Sequence, residues 1–143
     1  MDSGAHQPSV SGLLETALYV DDPQRSAKFY TDLFQFETLF VDERMHVLSV
    51  VEKQVLLLFR KGGSSRPTHT PGGIIPPTDG SGNLHLAFAI PSTSLEAWEA
   101  RLKEEGVAIE SRVTWKRGGK SLYFRDPDKH LLELVTPGAW SIY

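Results

Sequence analysis

The chain has 143 residues, 40% of them hydrophobic and 23% charged, with a formal net charge of −3 and a pI near 5.9. That suits one soluble domain with its own core, and the lack of a basic surplus or long basic run argues against nucleic acid as a partner. There is no cysteine, which excludes disulfides, thiolate nucleophiles and Cys-ligated zinc. No apolar run approaches the ~20 residues that span a bilayer, and the start lacks the regions of a signal peptide, so a cytoplasmic protein without membrane contact is expected.

Residues 1–12 read as a flexible arm, with His6 solvated in it. Residues 13–20 read as a strand: Leu14, Thr16, Leu18 and Val20 on one face, Leu13, Glu15, Ala17 and Tyr19 on the other. Asp22 and Pro23 then supply the N-cap and first position of a helix. Its apolar face is Ala27, Phe29, Tyr30, Leu33 and Phe34, and Gln35 ends it. Strands follow at 36–42, 46–51 and 55–59, with Asp42-Glu43-Arg44 near the first turn.

Residues 61–83 are rich in glycine and proline. Loops longer than about 12–15 residues tend to be lids or linkers, and Ile74 and Ile75 give this one something to dock, so a lid is expected. Residues 84–90 read as a strand with His85, Ala87 and Ala89 on one face. Thr93-x-x-Glu96 has the form of a capping box ahead of a helix striped by Leu95, Trp98 and Leu102, and Gly106 stops it. A strand at 107–114, the connection 115–120 and a hairpin at 121–135 complete the pattern, with a tail at 138–143.

The final hairpin poses a chemical question. Leu131, Leu132, Leu134 and Val135 surround Glu133, and an unpaired buried carboxylate costs several kcal/mol, roughly. Glu133 therefore needs water, a cation or a metal, or else lies on an edge strand facing solvent. The layout strand, helix, three strands occurs twice, on either side of 61–83. Glu15 and His85 hold the same place in the first strand of each half. With helices covering the face of Leu14, Leu18, Leu86, Phe88, Leu132 and Leu134, the opposite concave face carries Glu15, His85, Tyr123 and Glu133. Small Ala17, Ala87 and Ala89 leave room there for a ligand.

Three stretches in this order, Glu-Thr-Ala-Leu-Tyr-Val-Asp-Asp-Pro-Gln-Arg-Ser-Ala-Lys-Phe-Tyr (15–30), Leu-His-Leu-Ala-Phe-Ala-Ile (84–90) and Leu-Tyr-Phe-Arg-Asp-Pro-Asp-Lys-His-Leu-Leu-Glu-Leu (122–134), resemble the vicinal oxygen chelate superfamily. That group includes glyoxalase I, extradiol dioxygenases, fosfomycin-modifying enzymes and bleomycin-binding proteins. The resemblance implies an α+β fold over residues 13–137. Two βαβββ modules, 13–60 and 84–137, would form a cup-shaped mixed and antiparallel sheet with helices on its outer face. It further implies one divalent ion per site (Mn, Fe, Ni or Zn), with Glu15, His85 and Glu133 as its ligands. Two carboxylates and an imidazole form a hard-to-borderline set with positions left for substrate.

Departures narrow the expectation. Glu15 stands where many dioxygenases and fosfomycin enzymes of the group have His, and a ligand set that neutralises the ion suits O₂ activation less well. Residues 55–59 hold no carboxylate to act as the fourth ligand of glyoxalase I. Lys129 replaces the usual glycine of the Asp-Pro-Asp turn, so an altered turn is expected, since a left-handed position costs a non-glycine residue about 1 kcal/mol.

Trp115-Lys116-Arg117-Gly-Gly-Lys120-Ser121-x-Tyr123 resembles the phosphonate-contacting stretch of fosfomycin thiol transferases. Ser121, Tyr123, Arg117 and Lys116 are thus the expected substrate contacts, with Tyr123 also the expected catalytic group. The cations alone are equally compatible with a solvated hairpin tip. The resemblance favours a metal-dependent isomerase, lyase or transferase acting on a small, vicinally oxygenated substrate, with the cations suiting an anionic one. The alternative is a metal-free protein that sequesters a drug. The resemblance also implies a homodimer, with each cup either built within one chain or taking Glu15 from one subunit and His85 with Glu133 from the other.

Overall fold

The computed structural model describes residues 7–143. Strand β1 (Glu15–Val20) leads into helix α1 (Pro23–Phe34). Asp22 caps the helix by accepting the backbone N–H groups of Gln24 and Arg25, with Pro23 at its first turn. Gln35 ends it in the left-handed conformation at φ 61. Strands β2 (Glu37–Val41), β3 (Met45–Val50) and β4 (Gln54–Arg60) complete a four-stranded sheet of order β1-β4-β3-β2. β1 runs parallel to β4, and the other pairings are antiparallel.

The second half repeats the plan. After a small hairpin, β5 (Thr68–Thr70) and β6 (Gly73–Ile75), come β7 (His85–Ala89), helix α2 (Leu95–Glu104), β8 (Ser111–Thr114), β9 (Lys120–Arg125) and β10 (Leu131–Val135). Their sheet order is β7-β10-β9-β8, with β7 parallel to β10. In both sheets the first strand of the half therefore lies at an edge.

Alternation along the strands separates two faces. Leu18, Val20, Leu48, Leu56 and Leu58 of one sheet and Leu122, Phe124, Leu132 and Leu134 of the other are buried in a single core under the helices. Phe34, at the end of α1, ties the halves together: its ring centroid lies 4.7 Å from Phe88, 5.6 Å from Trp98 and 6.3 Å from Phe124. Polar ties reinforce the junction. The Tyr30 hydroxyl donates to Asp126 at 2.7 Å, Ser26 donates to Asp128 at 2.7 Å, and the Arg101 guanidinium donates to the carbonyls of Asp32 and Leu33.

Local expectations needed correction at several points, beginning with Leu14, which precedes β1 and is exposed rather than covered by the helices. The capping box at Thr93 does not form: residues Ser92–Ser94 make a 3₁₀ turn and the Ser94 hydroxyl donates to the Pro91 carbonyl. The strand expected at 107–114 is confined to Ser111–Thr114, because Val107 N–H bonds back to Leu102 in the helix exit. Val51, expected in a strand, sits in the β3–β4 turn at φ 48, followed by Glu52 at φ 59. The Asp126 turn is not altered by Lys129, which takes the left-handed conformation at φ 66. Asp126 holds it by accepting the N–H groups of Asp128 and His130, each at 2.9 Å.

Of residues 1–12, those before residue 7 lie outside the described part, and residues 7–14 form no helix or strand. No helix among the described residues is long and apolar enough to cross a membrane.

Candidate functional site

The face of the second sheet that turns away from the helices carries the chemistry. The register pairs Leu131 with His85, Glu133 with Ala87 and Tyr123 with Glu133, and Ser121 with Val135. His85, Tyr123, Ser121 and Glu133 thus share one face, with the methyl groups of Ala87 and Ala89 as its floor. Glu133 is 7% exposed and His85 is far more open.

His85 Nδ1 lies 2.8 Å from the Leu131 carbonyl oxygen. A carbonyl can only accept, so Nδ1 carries the proton. The other ring nitrogen, Nε2, lies 3.2 Å from Glu133 Oε1. A bare Nε2 would set two lone pairs against each other across that gap. The contact therefore needs a proton or a cation held between the two. A histidine whose far N–H is anchored on a backbone carbonyl is also the usual arrangement of a metal ligand, so the pair fits a divalent ion.

The other carboxylate oxygen is engaged from the opposite side. Ser121 Oγ donates to Glu133 Oε2, and the Trp115 indole donates to Ser121 Oγ at 2.8 Å. Tyr123 lies alongside, its ring 6.3 Å from that of His85. Burial, and next the Glu133 charge, push its hydroxyl above the usual phenol range. It is a proton donor at neutral pH and not a base.

Glu15 is on the corresponding face of the first sheet, at the exposed start of β1. Among the described residues no three His, Asp or Glu side chains gather closely enough to hold a metal. The reason lies in how the halves meet. Buried His130 accepts the Leu84 N–H through Nδ1 and donates from Nε2 to the Tyr19 carbonyl. That tie brings the far end of β1 to the start of β7. Glu15 is four residues back along the strand, about 13 Å at normal strand rise. The chain unites His85, Glu133, Ser121 and Tyr123, but not Glu15.

Lys116 and Arg117 are exposed at the β8–β9 tip and form no ion pair among the described residues. Arg125 shares the site face by parity but is engaged by Glu110 at 2.7 Å. His46 pairs with Leu58, on the helix side of its sheet, so it is not in the cup. Burial lowers its pKa. Tyr19 is on the concave side but is covered: its hydroxyl bonds Thr78, its ring stacks on Phe59, and Gly80 packs against it.

Two features escaped the sequence reading. The Trp115–Ser121 bond crosses a hairpin tip where strand parity gives no guidance. His130 follows a turn and is silent in sequence except as a polar residue beside an apolar strand.

A family model described as "Glyoxalase/Bleomycin resistance protein/Dioxygenase superfamily" matches residues 12–134. "Metallothiol transferase FosB" of Shouchella clausii (strain KSM-K16) is 28% identical over 129 residues, covering 89% of this chain and 81% of its own. "Fosfomycin resistance protein FosX" of Listeria monocytogenes serovar 1/2a (strain ATCC BAA-679 / EGD-e) is 28% identical over 130 residues, covering 87% and 89%. The crystal structure of a lactoylglutathione lyase from Agrobacterium tumefaciens superposes with a TM-score of 0.84 at 28% identity, covering 94% of this chain and 99% of that one.

Proposed function

The chain belongs to the Glyoxalase/Bleomycin resistance protein/Dioxygenase superfamily, and from that premise we propose that it transfers a thiol to a small anionic epoxide of the fosfomycin type. Its similarity to enzymes named for metal-dependent thiol transfer and fosfomycin resistance makes it a metal-dependent enzyme of that kind. The observation that carries the finer reading is the His85–Glu133 pair, whose facing Nε2 and Oε1 leave a place for a cation between them.

In this reading His85 and Glu133 hold a divalent ion with Glu15 from a second copy of the chain. The geometry supports sharing: β1 and β7 are both sheet edges, so β1 of one copy can lie beside β7 of the other and close a cup. Bound there, the ion supplies positive charge beside the oxygen on which negative charge develops.

The protein's own groups do the rest. Tyr123, which keeps its proton, donates a hydrogen bond to a substrate oxygen. Lys116 and Arg117 at the hairpin tip are the counter-charges for a phosphonate. Ser121 is less free than its position suggests, since its one proton is committed to Glu133. Toward the substrate it offers only a lone pair. The overall change is an addition: a carbon–sulfur bond forms, a ring carbon–oxygen bond breaks, and the thiol proton ends on the opened oxygen.

The test loads the purified protein with Mn²⁺, measures the bound metal, and follows fosfomycin by phosphorus NMR with and without L-cysteine or glutathione. A new phosphonate signal that requires a thiol and is lost in Glu133→Gln is expected. A product formed without thiol would mean water is the nucleophile. Bound metal with no turnover would remove the substrate class. No bound metal under any divalent loading would sink the reading and leave ligand sequestration.

A further inference from the structure

We infer that Trp115 is a positioning residue for Glu133, acting through the hydroxyl of Ser121. The inference rests on Glu133 being a metal ligand, as proposed above, and adds a residue with no contact to the ion or the substrate.

An indole N–H can only donate, an ionised carboxylate can only accept, and a serine hydroxyl has one proton and two lone pairs. Trp115 Nε1 donates to Ser121 Oγ at 2.8 Å, and that fills one lone pair. The Ser121 proton must then point elsewhere, and the acceptor in reach is Glu133 Oε2. The direction of the relay, from Trp115 through Ser121 to Glu133, is fixed by the chemistry of its two ends. Without the indole the hydroxyl regains a free rotor and can turn its proton to solvent or substrate. With it, Oε2 is tethered and Oε1 is left facing His85.

The indole is itself held by a stiff backbone. Trp115 N–H donates to the Gly119 carbonyl, and Gly118 N–H returns a bond to Trp115. Gly118 takes φ 96, which favours glycine. Gly119 lies against the backbone of Gly138 so closely that a Cβ there would collide with it. The tail beyond Gly138 is pinned in turn by the Tyr143 hydroxyl, whose single proton lies between the carbonyls of Ile90 and Val135. The tail thereby braces the hairpin that aims the indole. Trp115 remains partly exposed, so removal of its N–H need not disturb the core.

The test uses the full chain and the variants Trp115→Phe, Ser121→Ala and the double variant, all checked for unchanged thermal melting. In the metal-free protein, the Trp115 indole resonance, identified by its loss in Trp115→Phe, is expected to exchange slowly and to move in Ser121→Ala. The Glu133 carboxyl carbon, identified by its loss in Glu133→Gln, is expected to shift in both single variants. With Mn²⁺ as the probe, each single variant is expected to bind about 10-fold more weakly, and the double variant no worse than Ser121→Ala alone, because one relay is being cut at two points. A Glu133 carbon unmoved in Trp115→Phe, or losses in Mn²⁺ affinity that add in full, would overturn the inference. If the wild type binds no metal, the functional reading fails first, and the carboxyl resonance still decides whether Trp115 orients Glu133.

Discussion

The two halves share one plan and treat their concave faces in opposite ways. In the first half the face is closed over: Tyr19 is stacked on Phe59 and roofed by Thr78 and Gly80 from the long connection, while Glu15 stands alone at its exposed margin. In the second half the face is open along β7, where His85, Ala87 and Ala89 are exposed, and buried Glu133 beside it is held from both sides by His85 and Ser121. A repeat thus supplies the same scaffold twice, and the connection between copies decides which face stays open. The half with the open face needs a donor, and the half with the closed face has one to spare.

The largest expected effect tests whether the two faces complete each other between copies. Glu15→Ala and His85→Ala are each expected to lose bound Mn²⁺ while staying folded. If the site is shared, co-refolding the two variants creates heterodimers with one intact site and one doubly broken site. Random pairing then restores about a quarter of wild-type metal content. If each chain built its own site, the mixture would bind none. A Glu15→Ala protein with full metal content would remove Glu15 from the ligand set.

A smaller effect tests the closure of the first face. Gly80 does not need glycine for its backbone, but a methyl group there would fall on the Tyr19 ring. Overpacking of this kind costs about 1–3 kcal/mol, so Gly80→Ala should lower the melting temperature by several degrees. An unchanged melt would mean that the connection does not rest on Tyr19, and the contrast between the halves would lose its physical basis.

Much of this arrangement was legible in sequence because it follows from strand parity and from strong local signals. Asp22-Pro23 marks the start of α1, and alternation alone places His85, Tyr123, Ser121 and Glu133 on one face. What alternation cannot supply is distance between separate sheets: Glu15 has the right parity, and only the His130 tie to the Tyr19 carbonyl shows that it points to a different end of the molecule. Turn chemistry is also ambiguous in sequence where a competing local hydrogen bond wins. Thr93 and Glu96 have capping spacing, yet Pro91 at the preceding strand end draws Ser94 into a 3₁₀ turn instead.

The last and smallest effect compares the equivalent turns of the two halves. In the first, Val51 and Glu52 both have positive φ, 48 and 59, and Lys53 N–H closes the turn on the Val50 carbonyl at 3.1 Å. The register Val50↔Gln54 leaves three residues in this connection; its first two, both left-handed, form a type I′ turn, where Asn-Gly fits far better than a β-branched residue followed by Glu. Val51 is 69% exposed, so its replacement loses little packing. Val51→Asn with Glu52→Gly should therefore gain about 1–2 kcal/mol. In the second half Lys129 alone is left-handed, and a glycine there recovers about 1 kcal/mol of backbone strain while giving back much of it as chain entropy in the unfolded state. Lys129→Gly should gain only a few tenths of a kcal/mol. Urea unfolding of the two variants, at unchanged m-value, measures both. A larger gain from Lys129→Gly would show that the Asp126 bonds do not hold Lys129 in its conformation as firmly as their geometry implies.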